Sequence, residues 1–334
     1  MIDDRIKKVD KMLLDKAFNG TVLISYGSKI LLSKGYGFAD LELDVLISPQ
    51  TKMRIASITK TITAIAILQL VEKKLLKLDD PLSKFIPDYP HGEEITMKHL
   101  LTHSSGISNF ELDMDFYEVE HAPSFSEKLI DLFKFKPLQF IPGTTFSYSV
   151  SGYFLLGYII ERITGLNYAE YLKINIFEPL HMENSGFDNY QKIIKGRAKN
   201  YEIDGSSIRN GNFVDMRISG AGGGLYSTAE DLYLLQMGLL NHQVITKESY
   251  NMMLTNQIEI NEQTHYGFGL FLEETEICGK NRNKNYHTGG GPGVRAIMAY
   301  YPEDQLLCIM ISNINDKNTF NEAHTLMEEI LLAE

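Results

Sequence analysis

Apolar residues at Ile6, Val9, Met12, Leu13 and Phe18 recur close to the 3.6-residue period of a helix, so the chain opens on an amphipathic helix. The pattern then turns to strand. Residues 21–26 and 29–36 are rich in β-branched and apolar side chains, and only Gly27 and Ser28 separate them, the link of a tight hairpin. From Ser57 onward the helical period returns over 61–75, and further apolar helical stretches begin near Met97, Ser126 and Gly152. Strand character reappears in 266–272, 294–301 and 306–312, with a turn at 302–305 between the last two and a final helix over 319–332.

Both ends are therefore strand-rich and helix-capped, while the middle is helical. Antiparallel strands from the two ends most simply share one sheet, which makes the fold class α+β: a sheet flanked by helices, with a mostly helical lobe inserted. The expected division is a discontinuous sheet domain of residues 1–60 and 225–334 and a helical domain of 61–224. The glycine-rich run 219–224 leads into a helix for which Ser227 is the expected cap, with Glu230 completing a capping box.

Composition narrows the function classes. The chain has 334 residues, 44% hydrophobic and 22% charged, values of a globular protein. Its net charge of −11 disfavours a general nucleic-acid binder. Cys278 and Cys308 lie in no metal-binding spacing and read as two buried thiols rather than a disulfide framework. The apolar stretches are too short to span a bilayer. Met1 to Lys8 lacks the apolar core of a signal peptide. A natural start at Met1 would imply a cytoplasmic protein, and a removed export signal an extracytoplasmic one.

The chemistry gathers in three places. Ser57 stands where a helix begins and Lys60 follows at i+3, so the ammonium can reach the hydroxyl on one helix face. The helix N-terminus favours negative charge near the serine, as an activated nucleophile requires. Tyr148 lies in Phe146-Ser-Tyr-Ser-Val-Ser-Gly-Tyr, and His287 opens His-Thr-Gly-Gly ahead of a strand-rich region. In this order and frame, the sequence resembles the serine β-lactamase and penicillin-binding-protein superfamily, in the class C-like branch that also holds D,D-carboxypeptidases, D-aminopeptidases and esterases. The stretches from Leu100 to Ile107 and from Gly222 to Leu232 extend the likeness over nearly the whole chain.

The resemblance implies a β-lactamase/transpeptidase-like fold and a serine hydrolase working without metal or cofactor. Ser57 would form an acyl-enzyme, with Lys60 and Tyr148 sharing its proton as one titrating unit. The N–H groups of Ser57 and Gly290 would form the oxyanion hole, Gly289 would let substrate lie against the strand, and His287 and Thr288 would contact its polar end. Small esters or D-amino-acid and peptidoglycan-like peptides would be the substrates, with penicillin binding and weak β-lactamase turnover as further capacities. One position departs from the family: its second motif is Tyr-x-Asn, and here the third residue is Val150, which has no donor or acceptor for a substrate amide. Ser149 or Ser151 is a candidate to compensate. That change, with His287 where many β-lactamases carry lysine, favours an esterase or an altered peptidase. The contrasting class is a catalytically weak relative serving as a binding or scaffold protein. His99 and His103 have the spacing of a metal pair but no third ligand, and read as structural. The basic run 192–199 reads as a solvated face.

Overall fold

The computed structural model describes residues 2–110 and 124–333. Period-2 alternation sets its layers. In the strand Gly20–Tyr26, Val22 and Ile24 face one core while Leu23 faces another. The first core is small and lies under the two terminal helices, Ile2–Asp15 and Lys317–Leu332, which contribute Val9, Leu13, Phe320 and Met327. The second is large and joins the sheet to the helical lobe.

Eight antiparallel strands form the main sheet. From one edge to the other they run Ile258–Asn261, Thr264–Tyr266, Phe271–Ile277, Lys280–Gly291, Val294–Tyr301, Leu306–Ser312, Gly20–Tyr26 and Lys29–Tyr36. Thr21 pairs with Ile311, so strands from opposite ends of the chain meet mid-sheet. The helix Thr59–Glu72 lies between sheet and lobe with every residue from Thr59 to Leu70 buried. Most of its side chains are apolar, and of the polar ones Lys60, Thr61, Thr63 and Gln69 each find a hydrogen-bond partner there. Beside it packs Val150–Thr164, which ends on Gly165 at φ +72°, a left-handed cap that glycine adopts without strain. Among the described residues no helix is long and apolar enough to cross a membrane.

Three expectations need correction. The run 266–272 is two strands, because Gly267 and Gly269 turn the chain between them. A Cβ at Gly267 would stand 2.0 Å from Met253 O, and one at Gly269 2.8 Å from Lys60 O, so the turn fits closely against its neighbours. The helix Ala229–Leu240 is capped by Thr228, whose side chain accepts the Asp231 N–H, while Ser227 ends a strand and Glu230 accepts from Ser33 Oγ. Cys308 is buried in the sheet, but Cys278 is exposed at the tip of the Cys278-Gly279 hairpin, where both φ angles are positive; both thiols are free.

Beneath the terminal helix lies a buried charge pair. Lys284 Nζ stands 2.7 Å from Glu328 Oε1, which also accepts from Tyr301 OH, and His324 Nε2 is 3.2 Å from the same oxygen. Removing one partner strands a charge out of water. We expect Lys284→Met to cost about 3–5 kcal/mol by urea unfolding, and Lys284→Met/Glu328→Leu to recover most of that loss.

Candidate active site

Ser57 sits on a single 3-10 turn, Ala56–Ile58, that feeds directly into Thr59–Glu72. The bend is made by Ala56 at φ +43°, a left-handed conformation that costs a non-glycine residue energy and persists only where the surroundings enforce it. They do so here through Ile55, whose N–H is held by Leu225 O at 3.1 Å. The result leaves Ser57 half-buried and Lys60 wholly buried in the first helical turn.

Lys60 Nζ lies 3.1 Å from Ser57 Oγ and donates to Gly222 O at 2.7 Å. Its charge also lies over two rings, 4.6 Å from the centroid of Tyr148 and 5.6 Å from that of Tyr153. Such contacts are electrostatically favourable and strengthen when water is excluded. Tyr148 is placed by the loop that precedes Val150–Thr164, and that helix is capped by Ser149, whose Oγ accepts from Gly152 N. Ser57, Lys60 and Tyr148 are therefore brought together, as the sequence expects.

The strand Lys280–Gly291 delivers the third motif, and its alternation sorts the residues. His287 and Gly289 point inward, while Thr288 and Gly290 are exposed. A Cβ at Gly289 would stand 2.3 Å from Ile55 O, so only glycine lets this strand run so close to the bend carrying Ser57. Here the expectation for His287 changes. Its ring is 1% exposed, Nε2 lies 3.1 Å from Tyr266 OH and Nδ1 lies 2.7 Å from Thr288 O. A neutral ring satisfies both with the proton on Nδ1. Burial, reinforced by the charge of Lys60, pushes its pKa down to about 3. His287 thus lies beneath the cleft, and Thr288 and Gly290 are the parts of the motif that face outward.

Of the groups under the motif the sequence singles out only His103, as a structural residue, and it does not join it to Tyr153 and Tyr266. His103 stacks 4.3 Å from Tyr148, centroid to centroid, and its Nδ1 accepts from Ser149 N. Burial and Lys60 hold it well below the usual histidine range. Tyr153 donates to Leu101 O, and Tyr266 stands within 4.8 Å of the His103 ring. A run of aromatic residues in helix and strand periods reads as plain core, so only the assembled fold shows that these rings share one pocket. His99, by contrast, completes a capping box with Thr96. Among the described residues no cluster suited to a metal ion occurs.

Val150 is buried and apolar, and a Cβ at Gly222 would lie 2.8 Å from its Cγ1, so it fills the space beside the carbonyl that holds Lys60. Neither neighbouring serine replaces the missing amide. Ser149 caps the helix, and Ser151 Oγ bonds Ser108 O and Phe110 N. The polar side chain that does reach this corner is Asn109, whose Oδ1 accepts from Val150 N at 3.3 Å.

Gly289→Ala should cost about 1–3 kcal/mol through overpacking and lower turnover, whereas Gly291→Ala, whose Cβ would meet nothing closer than 3.6 Å, should change neither. Melting curves and ester turnover of the two variants check this. The histidines set a pH dependence. His103 and His287 bind protons more weakly folded than unfolded, so their contribution to stability is complete above about pH 6.5 and is lost as pH falls toward the folded values. Urea unfolding between pH 6.5 and 4.5 should show stability falling, with His287→Gln removing up to about 1.4 kcal/mol per pH unit of that slope.

Known proteins share this fold. A penicillin-binding protein from Bacillus halodurans superimposes with a TM-score of 0.83 at 28% identity, over 95% of this chain and 98% of that one. A Bacillus subtilis (strain 168) protein named as a penicillin-binding protein, PbpX, is 30% identical over 331 residues, 98% of this chain and 79% of the relative. The teichoic acid D-alanine hydrolase of Staphylococcus aureus is 28% identical over 96% of this chain and 77% of its own length. The family model described as Beta-lactamase matches residues 6–332, and the chain belongs to that family of serine hydrolases.

Proposed function

We propose that this hydrolase cleaves small acyl esters through an acyl-enzyme on Ser57, with short α-aminoacyl esters such as D-alanyl esters of polyols as the preferred class. The observation that carries the reading is the buried Lys60 ammonium 3.1 Å from Ser57 Oγ, beside the Tyr148 ring. Ser57 Oγ attacks the ester carbonyl, and its proton passes to the Lys60–Tyr148 pair in the form that holds one proton fewer than ammonium plus phenol. The N–H groups of Ser57 and Gly290 receive the developing oxyanion, and Thr288 stands at the outward edge for the substrate's polar end. The pair then protonates the departing alcohol. Water enters, gives a proton to the pair as it attacks the acyl-enzyme, and the carboxylic acid leaves Ser57 with its hydroxyl restored.

Val150 supports an ester over an acylated amide. Peptides and penicillins carry an amide on the acyl side, and facing Val150 that amide loses its partner, a loss of about 1–3 kcal/mol when it is buried unpaired. An ester of a plain carboxylic acid, such as a butyrate, carries no polar group there that needs a partner, so Val150 favours the ester class as a whole. The D-alanine hydrolase relative supports the same substrate class.

Turnover of p-nitrophenyl butyrate and of a D-alanyl ester, with a fluorescent penicillin in parallel, tests the proposal. Ser57→Ala and Lys60→Met should each lower ester turnover by on the order of 10³-fold or more, and Tyr148→Phe by roughly 10²-fold. Penicillin labelling should be slow in the wild type and faster in Val150→Asn. Ester turnover that persists in Ser57→Ala would sink the reading, and rapid stoichiometric labelling without ester turnover would make the chain a penicillin-binding peptidase instead.

A further inference from the structure

A second cavity, of about 1090 Å³, opens in the helical lobe behind the Gly220–Gly222 turn, and none of Ser57, Lys60, Tyr148 or His287 lines it. Its volume is ample for a small-molecule site. The walls are aromatic: Phe154, Tyr158, Phe177, Phe187 and Tyr226 line it together with Tyr168. Only the short turn separates it from the nucleophile helix. Ala221 lines the cavity, while Ala221 O accepts from Thr63 Oγ1, which is 2.7 Å from Tyr168 OH.

The charges at this cavity are unequal. Of its three carboxylates, Glu178 faces Lys173 at 3.6 Å, and Glu161 accepts the Tyr168 N–H at 2.8 Å and is pushed toward its neutral form by burial. Glu183 remains. Against it stand Lys192 and Lys195, both exposed at the rim and, among the described residues, both without an ion-pair partner. Ile193 between them is 94% exposed, and Tyr190 and Phe213 meet edge to face beside them, at 5.6 Å. In a protein of net charge −11 this is a local reversal of sign. The run 192–199 that reads in the sequence as a solvated face thus carries two lysines at the mouth of an apolar, aromatic chamber.

We propose that this cavity binds a single-chain amphiphilic anion, its apolar chain against the aromatic walls and its head group between Lys192 and Lys195. A cation would face the unpaired lysines, and a neutral amphiphile would leave them unanswered. The chain has no tryptophan, so Tyr158→Trp places a sole indole in the cavity wall. Dodecanoate and dodecyl phosphate, titrated below their micellar concentrations, should each shift its emission saturably, and the tighter of the two names a carboxylate or a phosphate head. Lys192→Glu/Lys195→Glu should weaken both at least tenfold while p-nitrophenyl butyrate turnover stays at the wild-type level, and Ser57→Ala should leave binding unchanged. Calorimetry on the unsubstituted protein, and the milder Lys192→Gln/Lys195→Gln, repeat the measurement should either variant fold poorly. Absence of saturable binding would overturn the proposal. So would equal binding of dodecyltrimethylammonium or dodecyl maltoside, or affinity that ignores charge reversal at the two lysines.

Discussion

The arrangement turns on one buried ammonium. Taking a lysine out of water costs several kcal/mol unless its donors find partners, and at Lys60 those partners come from across the chain. Gly222 O arrives from a turn in the helical lobe, Ser57 Oγ from the preceding bend, and the Tyr148 and Tyr153 rings from the start of another helix. Two of these partners, Ser57 and Tyr148, are also the residues to which the proposed chemistry falls. The desolvation of one side chain thus binds the lobe and the bend that carries Ser57 into one unit, and the neutral His103 and His287 beneath add no positive charge to the pocket.

Much of this was legible from residue order. The hairpin at Gly27-Ser28, the strands 294–301 and 306–312 and the Ser57–Lys60 spacing rest on local rules, namely turn chemistry and side-chain period, and the structure follows them. What was not legible depends on contacts distant in sequence. Thr228 displaces Ser227 as the cap because Ser227 is committed to a strand and to Ser185, 2.7 Å away. The break at Gly267 and Gly269 arises because that turn must fit against Met253 and the helix Thr59–Glu72. The burial of His287 is set by strand alternation over 280–291, a strand that its polar, glycine-ending sequence conceals.

The corner at Val150 shows a family position being reused. The valine methyl packs beside Gly222, whose carbonyl holds Lys60, so an apolar group supports the lysine's anchor from behind. The helix N-terminus that starts there keeps its polar partner, because Asn109 reaches in from a neighbouring loop to accept the Val150 N–H.

The pairing of Thr21 with Ile311 has a consequence for how the molecule is made. A ribosome delivers the first hairpin long before the strand that will cover its flank. Until Leu306–Ser312 emerges, the hairpin presents an open apolar edge of the kind that invites mispairing. Lys29, Lys34 and the twist of a two-stranded ribbon guard its other side, but the inner edge has no such protection. The nascent chain therefore carries this unpaired edge through most of its synthesis, until Leu306–Ser312 emerges and completes the sheet.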